Sequence, residues 1–129
     1  MLSAGQVALS LGDEVRIVTG GGDTVASMLI ERGTRVYALR EPSPGELAVG
    51  LWTRTFDGRC TRFFDAVTGA LRREERGLVP AGPRHFWNEP QPEAGSLASR
   101  LFTDLDGALI ALEADGRRRV IVAAPDPAP

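Results

Sequence analysis

The stretch Glu46–Arg76, ELAVGLWTRTFDGRCTRFFDAVTGALRREER, constrains the fold more than any other part of the chain. It contains two turn signals, Asp57-Gly58 and Thr68-Gly69. The residues on both sides of each turn alternate between apolar and polar, which is the pattern of strands that pair in antiparallel hairpins. The sequence therefore predicts consecutive strands at 47–56, 60–67 and 70–76.

Further hairpins are predicted at both ends of the chain. Apolar and polar residues alternate in 6–11 and in 14–19, on the two sides of Gly12-Asp13. A last hairpin is predicted from 109–112 and 119–123 around Asp115-Gly116. Residues 35–39 read as one more strand, and the two prolines in 41–45 predict a loop directly after it.

Residues 24–32 fit two periodicities. Helical spacing is satisfied by Val25, Met28, Leu29 and Arg32, and strand spacing by Ala26, Met28 and Ile30. We favour a short helix, because Asp23 is a suitable N-cap and Gly33 a suitable C-terminal stop. The predicted fold class is therefore α+β with predominantly antiparallel β structure, a meander of hairpins with one short helix. An all-β sandwich or barrel is the alternative.

The length of 129 residues suits one domain with a modest core. We expect a single globular domain over 1–124, interrupted by a long proline-rich loop at 77–95, and a disordered tail at 125–129. The loop assignment rests on its prolines and on the absence of any convincing periodicity.

The sequence FFDAVTGAL, which begins at Phe63, resembles the strand-turn-strand of quinoprotein-type β-propeller blades, in which an Asp and a Thr-Gly pair form the turn. The resemblance covers about ten residues, and the chain is too short for a propeller. It implies the geometry of a hairpin and assigns no family.

Composition removes several chemistries. All 15 basic residues are arginine, and the chain has one histidine, one cysteine and one tyrosine. Lysine chemistry is therefore excluded, and a zinc site would need more histidine or cysteine than the chain has. We expect a protein that is not an enzyme and that holds neither a cofactor nor a metal.

Charge and hydropathy narrow the partners and the location. The net charge of −2 argues against nucleic-acid binding. No apolar run approaches the roughly 18 residues that a membrane span requires, and the N-terminus is a poor secretory signal. We expect a cytoplasmic protein that contacts no membrane.

The strongest candidate binding residues lie together in the proline-rich loop: Arg84, His85, Phe86 and Trp87. Tryptophan and arginine often anchor interfaces, and an aromatic cluster in a polar loop needs either a partner or a core to cover it.

A second candidate is the sheet face that carries Trp52, Arg54 and Phe56, opposite Arg62 and Phe64. Alternate residues of a strand share one face, so Arg54 would lie between two aromatic rings. Trp52 and Arg54 are the ligand-binding candidates on this face.

A weaker candidate is the glycine-rich segment Gly20, Gly21, Gly22 and Asp23. If a helix followed it, this segment would resemble the phosphate-binding turn of a dinucleotide-binding unit, although Val25 stands where the third glycine belongs.

We expect a small non-catalytic binding protein that recognises a protein or a small ligand through an aromatic loop or a sheet face. The alternative is a small nucleotide- or phosphate-binding enzyme that uses Gly20–Asp23. Pairing of a sheet edge in a homodimer is also open.

Overall fold

A computed structural model describes residues 5–31, 33–52, 58–81, 94–113 and 115–124. Strands make up 57% of the structure. They are β1 (Val7–Ser10), β2 (Glu14–Val18), β3 (Thr24–Leu29), β4 (Arg35–Ser43), β5 (Glu46–Trp52), β6 (Arg59–Asp65), β7 (Leu71–Arg76), β8 (Val79–Pro80), β9 (Leu101–Thr103), β10 (Leu109–Leu112) and β11 (Arg118–Val122). A 3₁₀ turn at Ala98–Arg100 precedes β9.

The strands form three open antiparallel sheets, so the predicted antiparallel β structure is confirmed. The first sheet has the order β1-β2-β3, the middle sheet β4-β5-β6-β7 and the third sheet β8-β9-β10-β11. Each sheet is thus a meander in chain order. The middle sheet contains the strand pairs predicted from the opening stretch, β5 with β6 and β6 with β7, while the predicted turn residue Asp57 lies outside the described residues.

The predicted turn at Thr68-Gly69 joins β6 to β7. The Asp65 carboxylate accepts hydrogen bonds from the backbone N–H groups of Val67 (2.8 Å) and Thr68 (3.1 Å). Gly69 has φ +77°, a conformation that a side chain disfavours. The sequence therefore contains both chemical requirements of this turn.

The helix predicted for 24–32 is wrong, because Thr24–Leu29 is strand β3. Its residues pair with β2 in the register Val15↔Met28 and Ile17↔Ala26. Alternate side chains are buried, as strand spacing requires, whereas Leu29, which helical spacing would place in the core, is 80% exposed. Pairing with β2 outweighs the favourable cap residues at either end.

The loop predicted at 41–45 is also partly wrong, because β4 continues to Ser43. β4 is an edge strand, and its pairing with β5 is irregular between Arg40 and Ser43. Proline is tolerated at such positions, since no ladder hydrogen bond is lost there. The carbonyl of Pro42 accepts hydrogen bonds from the Gly95 amide and the Ser99 hydroxyl.

The proline-rich segment 77–95 begins with core residues. Leu78 is completely buried, and Val79 and Pro80 form the short strand β8. The prediction of a loop is therefore wrong for 79–80, and it did not foresee that Leu78 is buried. Residues 82–93 lie outside the described part of the chain.

The middle sheet separates two hydrophobic cores. One face, with Leu47, Val49 and Leu51 of β5, packs against the first sheet. The opposite face, with Ala48 of β5 and Phe63 of β6, packs against the third sheet. Because successive side chains of a strand point to opposite faces, β5 is buried on both sides and the chain forms three layers.

Candidate interaction surface

The aromatic loop and two residues of the candidate sheet face lie outside the described part of the chain. Arg84, His85, Phe86 and Trp87 fall within 82–93, and Arg54 and Phe56 fall within 53–57. Their roles stay predictions.

Trp52 lies at the end of β5, where it pairs with Arg35 on one side and Arg59 on the other. Its side chain is exposed and flanked by two arginine positions, so a contact surface at this site remains available. Phe64, which the sequence grouped with Trp52, is buried in the core between the first and middle sheets. Phe64 therefore forms no part of a surface platform.

Gly20–Asp23 is the exposed turn between β2 and β3. The turn is closed by hydrogen bonds to Thr19: the Gly22 amide donates to its carbonyl (3.0 Å) and the Asp23 amide to its hydroxyl (3.1 Å). A strand follows instead of a helix, so the helix N-terminus that would favour an anion is absent here. The geometry is that of a hairpin turn.

The charged residues of β6 and β7 are engaged with one another. Arg62 binds the carboxylates of Glu31 (2.8 Å) and Glu74 (2.9 Å). Hydrogen bonds from this guanidinium hold the pKa of both carboxyl groups below their usual range, and the carboxylates raise the pKa of Arg62. The arrangement joins the first and middle sheets.

The nucleophilic and metal-binding candidates are weak. Burial, and after it the nearby Glu74 carboxylate, raise the pKa of the Cys60 thiol, which disfavours the reactive thiolate. Within the described ranges, no three His, Cys, Asp or Glu side chains are grouped so that they could hold a metal ion.

The most distinctive surface is the edge strand β11, which the sequence did not single out. Its three consecutive β-branched residues are exposed: Val120 by 58%, Ile121 by 39% and Val122 by 56%. β11 pairs with β10 on one side only, so along the described chain its other side is open. With respect to the described residues, both faces and one backbone edge of the apolar segment 120–122 are therefore accessible.

The arginines that precede this apolar segment are already paired within the chain. Arg118 binds Glu75 of β7 (2.7 Å), Arg119 binds Glu113 (2.9 Å) and Arg117 binds Asp115 (3.2 Å). Because carboxylates of the same chain already pair with the arginines of 117–119, this basic run does not require an acidic partner.

Three of the other sheet edges differ from β11, whereas the edges β1 and β3 are also free of charges and proline. β7 has five consecutive charged side chains at 72–76, and β8 has two residues and ends in a proline. The end of β4 is covered by the segment 94–99 through the bonds to Pro42. Charges, proline, short length and coverage are the features that keep edges from pairing. β11 has none of them over 120–122.

One signal in the sequence could have identified this surface. The residues Val120, Ile121 and Val122 do not alternate with polar residues, so the predicted strand cannot hide all three on one buried face. Such a run at the end of a sheet indicates either a covered strand or an exposed apolar edge.

Comparison of the chain with protein-family models, with curated proteins and with solved structures gives no match. Among the residues described, no helix is long and apolar enough to cross a membrane.

Proposed function

We propose that this chain is a non-catalytic interaction protein that binds a protein partner by strand addition at β11. The observation that carries the proposal is the exposure of Val120, Ile121 and Val122 on an edge with no neighbouring strand among the described residues. In strand addition, backbone hydrogen bonds supply affinity and side chains on both faces supply specificity.

The chemistry of the rest of the described chain supports a binding role. The carboxylates of Glu31, Glu74 and Glu113 are engaged by arginines, and engaged carboxylates with lowered pKa values are poor proton acceptors near neutral pH. The loop residues Arg84–Trp87 and the Trp52 surface would then be additional contacts for a protein or a small ligand.

The proposal is tested by selecting random heptapeptides on the immobilised protein. The affinity of the selected peptides is then compared for the unmodified chain, Val120→Lys and Leu9→Lys. We expect enriched peptides rich in β-branched residues, with at least about tenfold weaker binding to Val120→Lys, since a charge on the edge opposes pairing. Leu9→Lys on β1 is the matched control, because it also replaces an exposed apolar residue of an edge strand. Failure to enrich any peptide, or equal binding to Val120→Lys, would overturn the proposal.

The alternative of a phosphate-binding enzyme at Gly20–Asp23 makes a different prediction. ATP with Mg²⁺ would then raise the melting temperature by several degrees through ligand linkage, and Gly21→Asp would abolish the shift. We expect no shift, because two amides of this turn are already bonded to Thr19.

A further inference from the structure

We propose that the strand that adds to β11 is β11 of a second copy of this chain, paired antiparallel about a two-fold axis at Val120. This inference rests on the proposed function, because it names the partner of the same edge. It requires that the strand be complementary to itself.

The order of residues in β11 meets this requirement. Antiparallel pairing about Val120 places Arg118 opposite Val122 of the partner and Arg119 opposite its Ile121. No arginine then faces an arginine. Parallel pairing would align the two basic halves, and like charges directly opposite are destabilising.

The charges of the surroundings also favour a second copy over an acidic peptide. Arg118 and Arg119 are held by Glu75 and Glu113 of their own chain, so an acidic strand would bring surplus negative charge. The aliphatic parts of the two arginine side chains can instead cover the exposed Ile121 and Val122 of the partner. Their guanidinium groups stay paired with the carboxylates of their own chain. The apolar half of each strand is thereby covered by the basic half of the other.

The dimer contact would have closed two-fold symmetry and low affinity. A two-fold axis at Val120 uses the open edge of each copy, so no free β11 edge remains and a filament is not formed. The five residues of β11 are far fewer than the roughly 20–30 residues per partner of a standard stable interface. We therefore expect a dimer that forms and dissociates with concentration.

Single-cysteine cross-linking tests the register. In a Cys60→Ser background, Val120→Cys would place two cysteines directly opposite, with Cα atoms about 4.5–5.5 Å apart, within disulfide reach. Val122→Cys is the matched control, since its copies would lie about 14 Å apart along the paired strands. With oxidised glutathione we expect dimer from Val120→Cys at least about tenfold faster than from Val122→Cys. Equal rates, or the reverse order, would overturn the proposed register.

Light scattering of the unmodified chain tests the dimer itself. We expect the mass to rise from monomer toward dimer between about 1 μM and 1 mM, and Val120→Lys to stay monomeric while Leu9→Lys behaves like the parent. A parent chain that is monomeric throughout would overturn the second copy as partner. If heptapeptides still bound in a Val120-dependent way, strand addition would stand with another protein as partner; if they did not, both proposals would fail.

Discussion

Arg62 of β6 and Glu31, which follows β3, form a two-point ion pair. Two guanidinium nitrogens of Arg62 each lie 2.8 Å from a carboxylate oxygen of Glu31, and its Nε lies 2.9 Å from Glu74 of β7. One side chain thus connects residues 31 positions apart in the chain and links the first sheet to the middle sheet.

Replacing Arg62 should cost more than replacing a neighbouring surface arginine. Arg62→Ala is expected to lower the free energy of unfolding by about 1 kcal/mol, because its side chain is only 19% exposed and bonds two carboxylates. Arg76→Ala, whose side chain is 89% exposed, should cost less than about 0.5 kcal/mol. Urea denaturation measures both. Equal costs would show that the two-point pair adds nothing to stability.

Stability should decrease in acid. Hydrogen bonds to arginine keep the pKa of Glu31, Glu74 and Glu113 below the ordinary glutamate value of about 4.5. The unfolded chain therefore binds more protons than the folded chain as pH falls below about 4.5, and stability is lost through the lower folded pKa values. Urea midpoints between pH 7 and pH 3 should be nearly flat above pH 5 and fall below it.

The same titration of Arg62→Ala provides the control for this pH dependence. Without the guanidinium, the pKa values of Glu31 and Glu74 should return toward their usual range, so the acid-induced loss should be smaller than in the parent chain. Parallel curves for the two proteins would contradict this cause.

Gly50→Ala should be strongly destabilising. Gly50 is a buried residue of β5, and a Cβ there would lie 2.9 Å from Cδ of Pro80 in β8. The proline ring is rigid, so the sheets must move apart, at a cost of about 1–3 kcal/mol. Gly20→Ala, where a Cβ meets nothing within 4 Å, should be nearly neutral. Thermal denaturation of both variants measures the difference, and similar melting temperatures would contradict the close approach of β5 and β8.

Thr61→Val should remove a bond between β6 and the segment before β8. The buried Thr61 hydroxyl donates to the Leu78 carbonyl at 2.7 Å. Valine conserves the shape but leaves the buried carbonyl without this donor, at a cost of about 1–3 kcal/mol. Thr24→Val, at an exposed position of β3, is the control and should change stability by less than about 0.5 kcal/mol. Chemical denaturation of the pair checks the prediction, which an equally stable Thr61→Val protein would contradict.

Local patterns predicted the hairpins and failed where tertiary pairing decides. Turn residues such as Thr68-Gly69 act over a few positions, and the strands that flank them are found where the alternation places them. In 24–32 two periodicities competed, and the partner strand β2, rather than the cap at Asp23, determined the outcome. The intrinsic helix or strand propensity of a segment does not show which strand will pair with it.

The sequence patterns did not predict how the three sheets stack on one another. Residues 47–52 of β5 include no polar residue, and Ala48 and Gly50 are buried as well as Leu47 and Val49, because a third layer covers the opposite side. The β11 surface was missed for a related reason. A run of three β-branched residues fits either a covered or an open strand, and only the strand order shows that it lies at an edge.

The burial of β5 on both faces has a consequence for the motions of the folded chain. Detaching either outer sheet would expose one of the two cores to water. The free-energy cost of exposing that apolar surface is large, whereas the conformational entropy gained by a partial opening is small. The amide protons of β5 should therefore exchange with deuterium only when the whole chain unfolds, whereas those of β11 exchange through small local openings. β5 and the two cores would therefore open slowly as one cooperative unit, whereas β11 could bind and release partners without opening them.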